Sequence, residues 1–355
     1  MENNRIRVLI VDDSALVRGL VRNALVLHPR IEVVGFAADG EEALQRIRDL
    51  EPDVVTLDTE MPRLDGLGVL DGVSPDARTA FVLVTSLTHA SASRAFDALE
   101  HGAYNYVARP RPGAVGELLK FKARLHRVVV AAAKSRGKRG LPTIQPVRYE
   151  SQAAPDCAGD AVVAIGSGCG GPQSLRALLP AFPKDFAPIV VAQHMPPEFT
   201  GAFVQRVASG AAMLVREAVH HERLRRGTIY VAPGGYHLRV QRRGGELCTE
   251  LSSGPRISGH CPSIDVLFSS LANACGPGVV GVLMTGLGSD GADGLLRLHR
   301  AGAWTIAQDP ESSLATEMAT AATAAGGVCE IAPLDQIPRA VARSLSLPAA
   351  RPAVV

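Results

Sequence analysis

Residues 8–14 read Val-Leu-Ile-Val-Asp-Asp-Ser, and residues 54–58 read Val-Val-Thr-Leu-Asp. Each is a short, wholly apolar run that ends abruptly in carboxylates. A run apolar on both faces and too short for a buried helix reads as a strand covered on both sides, as in a parallel sheet. Similar runs follow at Val33–Phe36, Phe81–Val84 and Tyr104–Val107. Helix-length segments separate them. The first of these carries Leu16, Val17, Leu20, Val21, Ala24 and Leu25, an apolar stripe at i, i+4 spacing. Five β-α units predict a doubly wound α/β fold with five parallel strands over the first ~120 residues.

In such a sheet the carboxyl ends of the strands converge on one edge. That edge collects Asp12 and Asp13 after the first strand and Asp58 after the third. Thr85 ends the fourth strand and Arg109 follows the fifth. Helix capping would account for one acid, but not for three acids, a hydroxyl and a base all at strand ends. Three carboxylates repel one another, and a hard divalent cation such as Mg2+ offsets the repulsion. With the metal neutralising an incoming phosphoryl group, Asp58 can attack it to form an acyl phosphate. Thr85 and Arg109 can hold the phosphoryl oxygens.

The rest of the chain repeats the β-α rhythm after a break. From about Arg124 to Asp160 the composition shifts: Lys134, Arg136, Lys138 and Arg139 form a basic cluster, and Pro142, Pro146 and Pro155 follow. This reads as a helix end running into a linker. Expected strands then lie at Ala161–Gly166, Ile189–Gln193, Thr228–Ala232, His237–Gln241, Val279–Thr285, Trp304–Gln308 and Val328–Ile331, with a hairpin-like pair around Pro233–Tyr236. The domain expectation is 1–123, a linker at 124–158, and a larger, mostly parallel α/β domain at 159–350.

Composition narrows the function. Lys plus Arg is 37 and Asp plus Glu 35, a net charge of +2, and aromatic residues are 4%. A dedicated nucleic-acid binder needs a basic face or stacking aromatics and is disfavoured. The six cysteines contain no C-x-x-C pair, which disfavours a zinc site and a disulfide framework and fits a reducing cytosol. No apolar run approaches the ~20 residues of a membrane span. Residues 1–7 lead directly into a strand, so no signal peptide is expected.

In the second half, residues 164–172 read Ala-Ile-Gly-Ser-Gly-Cys-Gly-Gly-Pro. Gly166, Gly168 and Gly171 fit G-x-G-x-x-G. A dinucleotide site also needs an acid about 20 residues on, at the end of the next strand. That strand ends Val-Ala-Gln-His-Met-Pro (191–196), without one, and the nicotinamide reading fails. His194 ends that strand, and Asp290 follows another in Met-Thr-Gly-Leu-Gly-Ser-Asp-Gly-Ala (284–292). A glycine turn with Ser167 or Cys169, a histidine and an aspartate at one sheet edge is the material of acyl transfer. Asp290 orients His194, His194 takes a proton, and backbone N–H groups hold the oxyanion.

Two resemblances bear on this reading. Residues 11–14, 57–66, 84–88 and 107–110 (Val-Ala-Arg-Pro) resemble response-regulator receiver domains, which implies phosphorylation at Asp58 with Mg2+ at Asp12, Asp13 and Asp58. That family usually has lysine where this chain has Arg109. Residues 161 to about 333 resemble the catalytic domain of chemotaxis protein-glutamate methylesterases. The matching segments are Gln-His-Met-Pro-Pro-Glu-Phe-Thr (193–200), Val-Ala-Pro-Gly-Gly-Tyr-His-Leu (231–238), Pro-Ser-Ile-Asp-Val-Leu-Phe (262–268), 284–292 and Gly-Ala-Trp-Thr-Ile-Ala-Gln-Asp (302–309). His194 and Asp290 fall on that family's catalytic histidine and aspartate. The resemblance implies methyl-ester hydrolysis, and glutamine deamidation, on chemoreceptor cytoplasmic domains. It also implies a histidine-kinase phosphodonor, a cytoplasmic location and no cofactor in the second domain.

The family's turn reads Gly-Ala-Ser-Thr-Gly-Gly, with the serine as nucleophile. Aligned on Gly166 and Gly170–Gly171, this chain has Gly168 there. Three replacements stand open: Ser167, Cys169, or a water activated by His194. A binding regulator without turnover is the alternative function. A transcription factor ranks last, because the second half is large and α/β with no helix-turn-helix pattern. Residues 313–320, Ser-Leu-Ala-Thr-Glu-Met-Ala-Thr, also depart from the family and are expected to alter the rim of the site.

Overall fold

A computed structural model describes residues 5–74, 77–111, 115–135 and 161–346. The chain divides into two compact units, residues 1–143 and 144–355.

The first unit alternates β1 (Ile6–Val11), α1 (Ala15–Leu25), β2 (Ile31–Ala37), α2 (Gly40–Leu50), β3 (Val54–Leu57), α3 (Gly66–Gly72), β4 (Ala80–Thr85), α4 (His89–Glu100), β5 (Asn105–Ala108) and α5 (Val115–Lys134). The sheet order is β2-β1-β3-β4-β5, and every pairing is parallel. β1, β3 and β4 are buried almost throughout, which explains their unbroken apolar sequence. In α1 the core takes Val21, Ala24 and Leu25, whereas Leu16 is 88% exposed. The stripe therefore reaches the sheet only over the later turns of the helix. α5 continues to Lys134, so the expected linker is helical at its start. The rest of that expected linker, with Arg136, Lys138 and Arg139, lies outside the described residues.

The second unit contains β6 (Val162–Ser167), α6 (Gly171–Leu178), β7 (Ile189–Gln193), α7 (Pro197–Ala208), β8 (Leu214–Glu217), β9 (Thr228–Val231), β10 (His237–Arg243), β11 (Glu246–Ser252), α8 (Ile264–Ala274), β12 (Val279–Leu283), α9 (Ala292–Arg300), β13 (Trp304–Gln308), α10 (Glu317–Ala324), β14 (Glu330–Ala332) and α11 (Ile337–Ser346). Seven of these strands form one sheet in the order β14-β13-β12-β6-β7-β9-β8, parallel at each pairing. The first strand, β6, is central. The chain winds outward from it first on one side and then on the other, which creates a switch point at its carboxyl end.

The expected hairpin around Pro233–Tyr236 is not formed. β9 belongs to the parallel sheet, and the antiparallel partner of β10 is β11. Their turn is Gly244–Gly245, both with positive φ (58° and 87°), the backbone that a two-residue hairpin loop requires. One face of this hairpin, Leu238, Val240 and Leu247, joins Ile264, Leu267, Phe268 and Leu271 of α8 in the core over Val162 and Ala164. α8 is thereby held across the sheet with its first turn over the end of β6.

Candidate active site and phosphoacceptor pocket

In the first unit the strand register sets the pocket. Val11 pairs with Leu57 and Thr85 with Ala108, so the residues that follow emerge side by side. Carboxylate oxygens of Asp12, Asp13 and Asp58 lie within 4.8 Å of one another. Asp12 and Asp58 are buried and Asp13 is exposed. Arg109 enters the same pocket. Its NH2 nitrogen stands 2.8 Å from Asp12 Oδ2 and 2.6 Å from Asp58 Oδ2, and its Nε and NH2 also donate to the Val84 carbonyl. Burial pushes the Asp12 carboxyl up to about 6, against the opposing pull of Arg109 and with reinforcement from Asp58. Burial likewise raises Asp58, again opposed by Arg109. The Thr85 hydroxyl is buried and has no hydrogen-bond partner among the described residues. Such an orphan in a pocket of acids is suited to a polyanionic oxygen. The donors are all hard oxygens, the set that Mg2+ takes.

In the second unit the turn after β6 is clamped between its neighbours. Gly168 N–H donates to Thr285 O (2.9 Å), and His194 N–H donates to Ser167 O (3.0 Å). These bonds bring the ends of β12 and β7 against the turn from either side. His194 Nε2 stands 2.7 Å from Asp290 Oδ2. Asp290 is 1% exposed. It also accepts from the Ser263 hydroxyl (2.8 Å) and from the N–H groups of Ile264 (2.8 Å) and Asp265 (3.2 Å). It thus sits at the N-terminus of α8, where unpaired N–H groups and the helix dipole favour an anion. Burial pushes Asp290 up, but the hydrogen bond and charge of His194, with Ile264 N–H and the Ser263 hydroxyl, outweigh it. The net position is well below the usual carboxylate range. An ionised, acceptor-only Asp290 makes Nε2 the donor of this bond, so that in the neutral imidazole the lone pair is on Nδ1.

That lone pair faces position 168. A Cβ built on Gly168 would lie 3.3 Å from His194 Nδ1, 3.3 Å from Met318 Sδ and 3.2 Å from Gly286 Cα. Ser167 is fully buried, and its hydroxyl donates to Gln193 Oε1 at 2.6 Å. Cys169 is buried in the turn, and its carbonyl accepts from the Thr285 hydroxyl. The structure therefore brings His194 and Asp290 together and sets Gly168, not Ser167, opposite the histidine. The region 313–320 does line the site. Leu314 packs at Gly170, Ala315 exchanges hydrogen bonds with the Thr285 hydroxyl and accepts from Gly286 N–H, and Met318 borders Gly168.

Two residues of the site carry no role in the sequence reading. Gln193 accepts from Ser167 and donates to Gly168 O and His194 O, which locks the turn to β7. Ser263 caps α8 through Val266 N–H and donates to Asp290. A serine placed just before an apolar helical run signals a helix cap, but nothing local in sequence predicts its second bond.

A phosphoacceptor-type pocket in one unit and a His–Asp pair at the switch point of the other define a response regulator with a hydrolase-type output. Two family models match the chain: "CheB methylesterase" over residues 163–341 and "Response regulator receiver domain" over residues 8–120. A protein-glutamate methylesterase/protein-glutamine glutaminase of Geobacter metallireducens is 39% identical over 96% of this chain and 96% of its own length. Another of that name from Rhodospirillum rubrum is 40% identical over 96% and 98%. The catalytic domain of Thermotoga maritima CheB methylesterase superposes with a TM-score of 0.51 at 32% identity, covering 52% of this chain and 99% of that one. The chain belongs to the CheB methylesterase family.

Proposed function

We propose that this chain is a phosphorylation-regulated protein-glutamate methylesterase, with glutamine deamidation as a second activity, acting on the cytoplasmic domains of chemoreceptors. The observation that carries the hydrolase chemistry is the His194–Asp290 pair, with side chains 8% and 1% exposed, joined through Nε2 and with Nδ1 beside position 168. With glycine there, the attacking group is a water that His194 deprotonates. Ser167 is committed to Gln193, and position 168, not the neighbouring Cys169, faces Nδ1. The water oxygen bonds to the ester carbonyl carbon while Nδ1 takes its proton. Collapse breaks the bond to the methoxy oxygen, which receives that proton and leaves as methanol. The start of α6 at Gly170 offers the positive end of a helix dipole to the developing oxyanion.

In the first unit Asp58 receives the phosphoryl group from a histidine kinase. Asp13 and Asp58 would hold Mg2+ directly and Asp12 through water. The metal would supply charge neutralisation of the phosphoryl oxygens. Thr85 and Arg109 read the phosphorylated state. Gly168 also favours a second reading, a phosphorylation-responsive receptor or kinase binder without turnover. Methanol release from methylated receptor membranes, with and without a small phosphodonor, separates the two. Release that depends on the phosphodonor and is lost in His194→Ala supports the hydrolase. Receptor binding without release supports the binder.

A further inference from the structure

His260 has no part in the chemistry above, yet its ring lies on that of His194. The ring centroids are 3.6 Å apart and the planes differ by 7°. A tight turn delivers it. Ser258 and Gly259 both adopt left-handed backbone, with φ of 51° and 83°. Across them Ile257 and His260 exchange both backbone hydrogen bonds, at 3.0 and 2.9 Å, as in a two-residue hairpin. Three residues further on, Ser263 donates to Asp290. One segment therefore grips the His–Asp pair twice, at the carboxylate and at the face of the imidazole.

The ring of His194 needs this second grip. Its covalent Cβ–Cγ bond and its Nε2 bond to Asp290 hold opposite sides of the ring and leave rotation about the line joining them, close to the Cβ–Cγ axis. Such rotation carries Nδ1 away from position 168. In a triad with a serine, a hydroxyl on the far side would hold Nδ1 as well. With Gly168 no side chain among the described residues does so, and a flat group stacked on the ring face is what resists the rotation.

We propose that His260 is a positioning residue that clamps the face of His194 and keeps Nδ1 aimed at the attacking water beside Gly168. The kinetic part rests on the hydrolase reading; the clamp itself is a property of the two rings. Stacked aromatic pairs are worth a roughly 2- to 12-fold change in an equilibrium, so loss of the clamp should lower turnover by about 3- to 10-fold.

The test uses the full-length, phosphorylated protein as wild type, His260→Ala and His260→Phe. The kinetic readout is kcat and KM for methanol release from methylated receptor membranes. The second readout, independent of turnover, is the 15N spectrum of the His194 ring, which reports its tautomer. The expected result is a kcat lowered about 3- to 10-fold in His260→Ala with KM unchanged, and restored in His260→Phe. The His194 ring signals should show an Nε2–H tautomer in wild type and His260→Phe, and an averaged ring in His260→Ala. If His260→Ala does not fold, His260→Gln, which lacks a ring, takes its place. Unchanged kcat and unchanged His194 signals in His260→Ala would overturn the clamp, and so would a His260→Phe variant that fails as His260→Ala does. Absence of turnover in every variant, wild type included, would count against the hydrolase reading alone, and the ring signals would still decide the clamp.

Discussion

Restoring a hydroxyl at position 168 is the perturbation that probes the site most deeply. Gly168 is absent from the positive-φ glycines, so its backbone accepts an L side chain without conformational strain. The obstacle is packing. A Cβ at 168 meets Gly286 Cα at 3.2 Å, Met318 Sδ at 3.3 Å and His194 Nδ1 at 3.3 Å. Comfortable carbon contacts begin near about 3.5 Å, so each neighbour must give by a few tenths of an ångström. Met318 is the one that can, because a thioether side chain re-packs readily. Overpacking on this scale costs about 1 kcal/mol, or a fall of roughly 2–4 °C in melting temperature for a domain of this size. The hydroxyl of Gly168→Ser then extends one bond beyond the Cβ, within reach of the Nδ1 lone pair. Removing the serine of a working triad costs roughly 10^6 in kcat, and an approach misplaced by about 1 Å forfeits about 10^2 of that. Gly168→Ser should therefore raise methanol release from methylated receptor membranes by about 10^4-fold. It should also be labelled at residue 168 by a fluorophosphonate that leaves wild type untouched. A variant that folds, melts within a few degrees of wild type and hydrolyses no faster would refute the placement of the attacking group at position 168.

Three further outcomes are expected. Asp58→Asn should take no phosphoryl label from a small phosphodonor with Mg2+, and labelling equal to wild type would displace Asp58 as the acceptor. Arg109→Lys should bind Mg2+ several-fold more tightly by calorimetry, because the guanidinium NH2 contacts both Asp12 and Asp58 and a flexible ammonium yields those oxygens more easily; equal or weaker binding would count against competition by Arg109. The Asp265 carboxyl is raised to about 7, chiefly by burial, with the neighbouring Asp290 adding to the rise. A raised folded-state value means a stability contribution that is complete below the unfolded value near 4 and lost as pH rises through about 7. Asp265→Asn keeps an acceptor for Gly294 N–H, so its melting temperature should match wild type at pH 4 and exceed it at pH 8; the reverse order at pH 8 would contradict an unfavourable charge there.

The legible parts of the fold share one property. β1, β3, β4, β6, β7 and β12 are covered on both faces, so their burial is written as unbroken apolar sequence. β8, at the sheet edge, has Leu214 59% exposed beside Arg216 and Glu217 and left no such trace. β11 reads Glu-Leu-Cys-Thr-Glu-Leu-Ser, too polar to stand out, although Gly244–Gly245 before it is a hairpin signal that outranks Pro233–Tyr236. His194 and Asp290 could be paired in sequence because both follow strands of one parallel sheet. Ser263 and His260 could not, because their partners are set by how α8 and its preceding loop cross that sheet, and Gln193 could not, because its bonds run sideways from the end of β7 to the turn after β6. Position 168 was identified by resemblance, and its direction toward Nδ1 by the structure.

In the proposed mechanism His194, held by Asp290, drives ester hydrolysis without a side-chain nucleophile. Its most direct measurement is methanol release from methylated receptor membranes by the phosphorylated full-length protein, comparing wild type, Ser167→Ala, Cys169→Ala and His194→Ala. Measurable release by wild type is expected, retained in both the Ser167→Ala and Cys169→Ala variants and abolished in His194→Ala. Loss of release in Ser167→Ala or Cys169→Ala with the fold intact, or release that survives His194→Ala, would contradict it.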